Sequence, residues 1–300
     1  MHPHLLHNGE ILPAGARTAS VGQVGLLNGW GVFSTLRVAG GVLFAYERHW
    51  ARMLRDAALM HVPMPESSDD LRGMLHALVQ ANEAWDATLR VAIIRNKGGL
   101  WQSPGLKRDF DIVAFTVDLQ NWGQSAKLAV QPHARHSASP FAGTKVLSWS
   151  QNLTFLEMAK SRGFDEVVLL NEHSHVSECT SANIFAAYGH MVYTPPLTSG
   201  CLPGITREYL LEAASVPGFS VKEKDLSLDD LYSADCAFIT STTRECLAIA
   251  EIEGRALKQE GGSRAALQSV LRDSLQRYVA QARATGHGVL PGKVLAANGY

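Results

Sequence analysis

Between Ala142 and Arg207 the chain brings three unlike chemical signals into one stretch. Ala142-Gly-Thr-Lys145 sets a lone lysine after a small, irregular lead-in and before the apolar Val146-Leu147. Val176-Ser-Glu178-Cys-Thr-Ser-Ala-Asn-Ile-Phe185 sets a glutamate at the start of a strand-like run. Gly200-Cys-Leu-Pro-Gly-Ile-Thr-Arg207 reads as a turn opening a helix over Arg207 to Ala214. A fold built around this stretch has to present an amine, a carboxylate and a helix N-terminus to one ligand.

Each signal answers a separate chemical demand. A lysine in a partly desolvated place offers a free amine that adds to an aldehyde. A carboxylate facing a pyridine nitrogen keeps it protonated, which makes the ring an electron sink. Free amides at a helix N-terminus, with the helix dipole behind them, favour a phosphate dianion. Lys145, Glu178 and Gly204-Ile205-Thr206 meet these in turn. The cofactor that asks for all three is pyridoxal 5′-phosphate.

The order of further motifs carries a resemblance. Lys145, Val176-Ser177-Glu178 with Asn183-Ile184-Phe185, Tyr193-Thr-Pro-Pro-Leu197, Leu202-Pro-Gly-Ile-Thr-Arg207 and Thr240-Ser-Thr-Thr-Arg-Glu245 together resemble the class IV (fold-type IV) pyridoxal-phosphate aminotransferases. That family includes branched-chain and D-amino acid aminotransferases, R-selective amine transaminases and aminodeoxychorismate lyase. Gly29-Trp-Gly-Val-Phe-Ser-Thr-Leu-Arg37 followed by a His49-x-x-Arg52 helix is similar to its N-terminal signature, so the matches run from about Gly29 to about Gly254.

The resemblance implies an α+β fold of two domains: a small N-terminal α/β domain over 1–118, a linker over 119–126, and a larger pyridoxal-phosphate domain over 127–300 with a β-barrel-like core flanked by helices. It implies that Lys145 holds the cofactor as a Schiff base and moves the α-proton, while Glu178 faces the ring nitrogen. Arg52, Ile205, Thr206 and Thr242 would anchor the phosphate and Leu202 would pack on the ring. Trp30, Phe33, Arg90, Arg95, Ser241 and Thr243 would meet the substrate, with Arg90 or Arg95 reading its carboxylate. The expected reaction moves an amino group between a small, branched-chain aliphatic amino acid and 2-oxoglutarate. A homodimer follows from the resemblance alone.

Departures keep other members of the family open. Trp30 and Ser34 stand where the family commonly has acidic residues, and Ser148-Trp149 stands for Asn-Tyr. Of the Tyr-x-Arg of branched-chain enzymes, Thr88-Leu-Arg90 keeps the arginine. Arg95-Asn-Lys-Gly-Gly99 is loosely similar to the loop of aminodeoxychorismate lyases. Lyase chemistry, D-amino acid or R-amine transamination, and a cofactor-binding scaffold without turnover all remain alternatives.

Periodicity predicts a hairpin over Val32–Val38 and Val42–Tyr46 joined at Gly40-Gly41, then an amphipathic helix over Glu47–Met60 that buries Trp50, Met53, Leu54, Ala57 and Ala58. A second helix capped at Ser67–Asp70 runs to about Glu83. Strands follow over Thr88–Ile94, Asp111–Asp118, Glu166–Leu170 and Asp235–Thr240, with helices over Asn152–Arg162 and Ser263–Ala284. Composition fits an enzyme that acts on small molecules: 300 residues, 46% hydrophobic, with a formal net charge of -1 that offers nothing to nucleic acid or an acidic membrane. The four cysteines form no Cys-x-x-Cys pair, and the His pairs at 2/4, 133/136 and 173/175 lack the further ligands of a metal site. With no apolar run of membrane-spanning length and no basic start, the expected location is the cytoplasm.

Overall fold

The structure is a computed structural model, and it describes residues 1–100, 106–212 and 218–289. Two compact units divide the chain. Met1–Gln120, Lys145–Ser148 and the chain from Leu275 form the first; Asn121–Thr144 and Trp149–Ser274 form the second.

In the first unit, β1 (His4–His7), β2 (Glu10–Pro13), α1 (Val24–Asn28), β3 (Gly31–Ala39), β4 (Val42–Leu43), α2 (Tyr46–Leu59), α3 (Ser68–Ala81), β5 (Ala87–Arg95) and β6 (Phe110–Asp118) follow in chain order. The strands make one antiparallel sheet in the order β2-β1-β6-β5-β3-β4. One face carries Val32, Leu36, Val38, Leu89, Val91 and Ile93 into a core shared with Leu71, Leu75 and Leu78 of α3. Gly40 and Gly41 take φ of +52° and +78°, the paired positive values of a tight hairpin turn.

The predicted second strand of that hairpin stops early. Ala45 adopts φ of 54° and redirects the chain, so Tyr46 is the first helical residue instead of the end of a strand. Nothing in the local sequence marks this reversal, because no side chain caps α2. The helix also turns a different face inward from the one its apolar residues suggest. Buried along it are Tyr46, His49, Arg52, Met53, Asp56 and Ala57, while Leu54 is exposed. Three polar side chains therefore face the core, where they meet Ser34 of β3, the Lys145 backbone and, for Asp56, the neighbouring Arg55. The helix α3 agrees with its predicted cap: Ser67 accepts the Asp70 N–H at 3.0 Å.

Lys145–Leu147 runs along the edge of β3. Val146 bridges Val32 antiparallel, Phe33 N–H donates to the Lys145 carbonyl at 3.1 Å, and Leu147 N–H donates to that of Gly31 at 2.9 Å. The sequence reading places Lys145 within 127–300, but its contacts are with the first unit. A four-residue excursion has no composition of its own to announce it.

The second unit contains β7 (Ser125–Arg135), α4 (Ser150–Ser161), β8 (Glu166–Asn171), β9 (Val176–Cys179), β10 (Asn183–Tyr188), β11 (Met191–Thr194), α5 (Ile205–Glu212), β12 (Ser220–Glu223), α6 (Leu228–Ser233), β13 (Cys236–Ser241), β14 (Glu245–Ile252), β15 (Arg255–Ala256) and most of α7 (Ser263–Ala284). Its mixed sheet runs β12-β11-β10-β13-β14-β7-β8-β9, with β15 on β14. One face buries Leu128, Val168, Ile184, Ala186, Ile239 and Ile249. The other stacks Phe185 on Phe238 at 5.2 Å under Leu210 of α5 and Leu267 and Leu271 of α7. This is the barrel-like core with flanking helices that the resemblance implies. The last helix is observed over the predicted residues, and Leu275–Ala284 of it belongs to the first unit, where Tyr278 donates to Glu47 at 2.6 Å.

Two histidines of the first unit give a pH dependence. Burial, then the nearby cations Arg52 and Lys145, hold His49 well below its ordinary value near 6.5. Burial, then Arg72 and His287, brings His76 to about 4. The unfolded chain takes up these protons as pH falls below 6.5 and the folded chain refuses them. Their contribution to stability is therefore complete above 6.5 and is lost as pH falls toward the folded values, by about 1.4 kcal/mol per pH unit for each group. Asp111 acts lower down. Burial raises its carboxyl, and hydrogen bonds from Arg108, Asn8, Asn96 and His7 outweigh that and bring it to about 2, so its contribution is lost only as pH falls from 3.8 through 2. The unfolding temperature should fall steadily from about pH 6.5 to about pH 4.5, and His76→Leu should flatten that slope. A melting temperature that stays constant across this range would contradict the neutral, buried imidazoles.

Candidate active site

In the first unit the Lys145 amine lies over the Phe33 ring, 4.7 Å from its centroid. Arg90 stacks on the same ring at 3.9 Å, and burial lowers its pKa from 12.5. Phe33 and Arg90 come from adjacent strands β3 and β5 and occupy the face opposite the core residues Val32 and Val91. On the core side, Arg52 Nη2 donates to Ser34 Oγ at 3.0 Å, and Ser34 Oγ meets His49 Nδ1 at 2.7 Å. Arginine only donates. The arrangement that leaves fewest polar atoms unpaired has Ser34 donate to Nδ1, so that the neutral His49 carries its proton on Nε2, an atom with no partner among the described residues. Asp56 Oδ2 accepts the backbone N–H of Lys145 at 3.0 Å.

Trp30 and Arg95 sit in a closed structural arrangement. The Trp30 indole donates to the Met60 carbonyl at 2.7 Å and lies under the Arg95 guanidinium at 4.1 Å. Arg95 in turn donates to the carbonyls of Lys97, at 2.6 Å, and His61. That loop continues into 101–105, and this part of the predicted Gly-rich loop lies outside the described residues.

In the second unit Glu178 projects from β9. Its Oε1 accepts from Arg135 Nε at 3.0 Å and its Oε2 from the Leu202 N–H at 3.0 Å. Arg135 also reaches Asn152 Oδ1 at 3.2 Å. A carboxylate has about four acceptor positions, so with two filled it can still receive a ring N–H. Asn183 Nδ2 donates to the Leu202 carbonyl at 2.9 Å, and a Cβ on Gly204 would fall 2.0 Å from Asn183 Oδ1. Only glycine lets the backbone come this close at the opening of α5. Ile205 and Thr206 are buried in the first turn of that helix, whose leading amides have no partner within it. The predicted end of the helix at Ala214 lies outside the described residues.

The turn after β13 is fastened from below. Arg244 N–H donates to Ser241 Oγ at 3.2 Å, and the Arg244 guanidinium reaches Glu166 at 3.3 Å and the Trp122 ring at 3.7 Å. Glu166 also accepts from Ser181 Oγ at 2.6 Å and from Thr180. These bonds fix Ser241, Thr242 and Thr243 relative to the end of β9. Thr240 Oγ1 is buried without a partner among the described residues.

Five residues of this arrangement escaped the sequence reading. His49 and Asp56 share the Arg52 face of α2, at three residues before and four after it, so helical spacing could have singled them out. Ser34 was visible as a departure without a role. Arg135 carried no signal, because its partner is 43 residues away, and Asn183 stood in a quoted motif without a role of its own.

The chain and its fold have known relatives. The chain is 30% identical over 266 residues to the branched-chain-amino-acid aminotransferase of Pseudomonas aeruginosa, covering 83% of this chain and 84% of that protein. It is 27% identical over 254 residues to the D-alanine aminotransferase of Bacillus licheniformis, covering 84% and 89%. The crystal structure of Escherichia coli branched-chain amino acid aminotransferase superposes with a TM-score of 0.84 at 23% identity, over 92% of this chain and 95% of that one, and so shows the same fold-type IV architecture. Enzymes of this fold and family use pyridoxal 5′-phosphate. The sequence model of the family described as amino-transferase class IV matches residues 31–252, and the chain belongs to that family.

Proposed function

We propose that this enzyme transfers an amino group between a small, branched-chain aliphatic amino acid and 2-oxoglutarate, with Lys145 as the residue bonded to the cofactor. The observation that carries this reading is the Lys145 amine set beside Arg90 on the buried Phe33 ring. An amine and a fixed cation on one apolar platform suit an amino acid that has a carboxylate and an aliphatic side chain.

When bound, the cofactor supplies the aldehyde that receives the amino group and the ring that delocalises charge from the α-carbon. Lys145 takes and returns the α-proton at Nζ. Glu178, kept in place by Arg135 and the Leu202 amide, holds the ring nitrogen protonated. Arg52, Ile205, Thr206 and Thr242 would hold the phosphate, and Leu202 would bound the ring. Ser241 and Thr243 offer polar groups to the substrate, and Phe33 and Trp30 bound its side chain. As in the branched-chain relative, the partners are amino and 2-oxo acids, and we assign a homodimer as the assembly.

Arg90 reads the substrate carboxylate in this scheme, because it shares the Phe33 ring with the Lys145 amine, whereas Arg95 lies on Trp30. Arg90→Leu should raise KM for 2-oxoglutarate by about tenfold to a hundredfold with the fold intact. Arg95→Leu should instead lower the unfolding temperature and leave that KM close to the parent value. The opposite pattern would exchange the two roles.

The overall reading is tested by adding L- and D-amino acids and simple amines singly to the cofactor-loaded protein and following its visible absorption. Conversion by L-valine, L-leucine and L-isoleucine supports it. Conversion by D-alanine alone, or pyruvate released from aminodeoxychorismate without a keto acid, would replace it.

A further inference from the structure

Helix α2 buries three polar side chains on the face that lies against β3: His49, Arg52 and Asp56. Ser34 accounts for the first two. Asp56 is 1% exposed, and its carboxylate divides between two partners: Oδ1 pairs with the Arg55 guanidinium and Oδ2 accepts the Lys145 backbone N–H at 3.0 Å.

Burying a carboxylate is costly even when it is paired, and a neutral acceptor could take the same N–H at lower cost. What a carboxylate adds at this point is negative charge. Arg52 and Arg55 flank it on α2, His49 is neutral, Ser34 of β3 bonds His49 and Arg52, and Lys145 itself shares the Phe33 ring with Arg90. The backbone of Lys145–Leu147 is tied to β3 by the hydrogen bonds at Phe33 and Leu147, and the Asp56 bond reaches it from the helix.

We propose that Asp56 is a positioning residue for Lys145: it pins the Lys145 backbone against α2 and puts a negative charge one hydrogen bond from the backbone of the residue that carries the reactive amine. The proposal rests on the assignment of Lys145 as the lysine that bonds the cofactor.

The test uses the full-length protein loaded with pyridoxal 5′-phosphate, as parent, Asp56→Asn and Asp56→Ala. Borohydride reduction with peptide mapping identifies the modified lysine. Amide hydrogen exchange reports the Lys145 N–H, and a pH titration of the visible absorption reports the charge state of the nitrogen at Lys145. Asp56→Ala should speed exchange at the Lys145 amide by about fivefold or more, whereas Asp56→Asn, which keeps an acceptor, should retain the protection. Both variants should move the titration midpoint down by about half a unit or more, because the cationic nitrogen loses a favourable neighbour. Should Asp56→Ala fail to fold, Asp56→Asn decides alone. An unmoved midpoint in Asp56→Asn overturns the proposal, whatever the exchange rates. If the parent is reduced at Lys145 and the variants titrate like it, the role of Asp56 fails and Lys145 stands. If the parent is reduced at another lysine, the assignment of Lys145 fails and the proposal falls with it.

Discussion

Lys145→Ala is expected to yield a folded protein that binds pyridoxal 5′-phosphate without a covalent bond and turns over at least about 10⁴-fold more slowly than the parent, since both the nucleophile and the proton carrier are lost. The fold should survive. The segment 145–147 is held through the backbone of residues 145 and 147, and alanine keeps every one of those groups. Removing the amine from above Phe33 also removes a positive neighbour of His49, whose pKa it helps to lower. The pH dependence of unfolding should therefore become slightly shallower. The measurement is single-turnover absorbance with L-leucine, together with borohydride trapping. Parent-like turnover in the variant would mean that a different lysine does the chemistry and would remove the basis of the proposed function.

The second large effect is expected at Glu178. Its carboxylate and Arg135 form a largely buried ion pair, with side chains 11% and 16% exposed. Glu178→Gln keeps the shape but leaves the guanidinium without a counter-charge, so stability should fall by about 3 kcal/mol. Turnover should fall by about 10²–10³-fold for a separate reason, the loss of the fixed charge behind the ring. A second substitution separates the two. Glu178→Gln combined with Arg135→Met removes the stranded cation and should recover much of the stability while recovering none of the turnover. If the double variant regained activity, Glu178 would be acting on the fold alone. Thermal unfolding and single-turnover rates on the same three proteins decide between these outcomes.

These effects depend on two kinds of information that the chain carries in different ways. The sequence by itself determined the local pieces. The turn at Gly40-Gly41 needs positive φ twice, Ser67 sits where a helix cap must sit, and the helical spacing of apolar positions from Ser263 covers the 22 residues of the observed helix. It also ordered the chemical motifs, because a lysine, a strand glutamate and a Gly-Ile-Thr helix opening are each contiguous and each tied to one property of the ligand they suit. Short strands without alternation, such as His4–His7 and Ser220–Glu223, left no such mark. Neither did Glu245–Ile252, which the sequence reading passed over.

What only the tertiary structure decided is which side chains are spent on one another. Arg90 and Arg95 look equivalent as residues, yet the fold stacks one on Phe33 beside the Lys145 amine and the other on Trp30 with two backbone carbonyls. Along α2, apolar spacing pointed to Leu54 and the fold exposes it, burying His49, Arg52 and Asp56 in its place. The reason is physical. A hydrophobic face is selected residue by residue from solvent, and so it leaves a period in the sequence. A buried polar residue is tolerated only because of a partner, and Asp56 meets Lys145 across 89 residues and Glu178 meets Arg135 across 43, pairs brought into reach only when the sheets form.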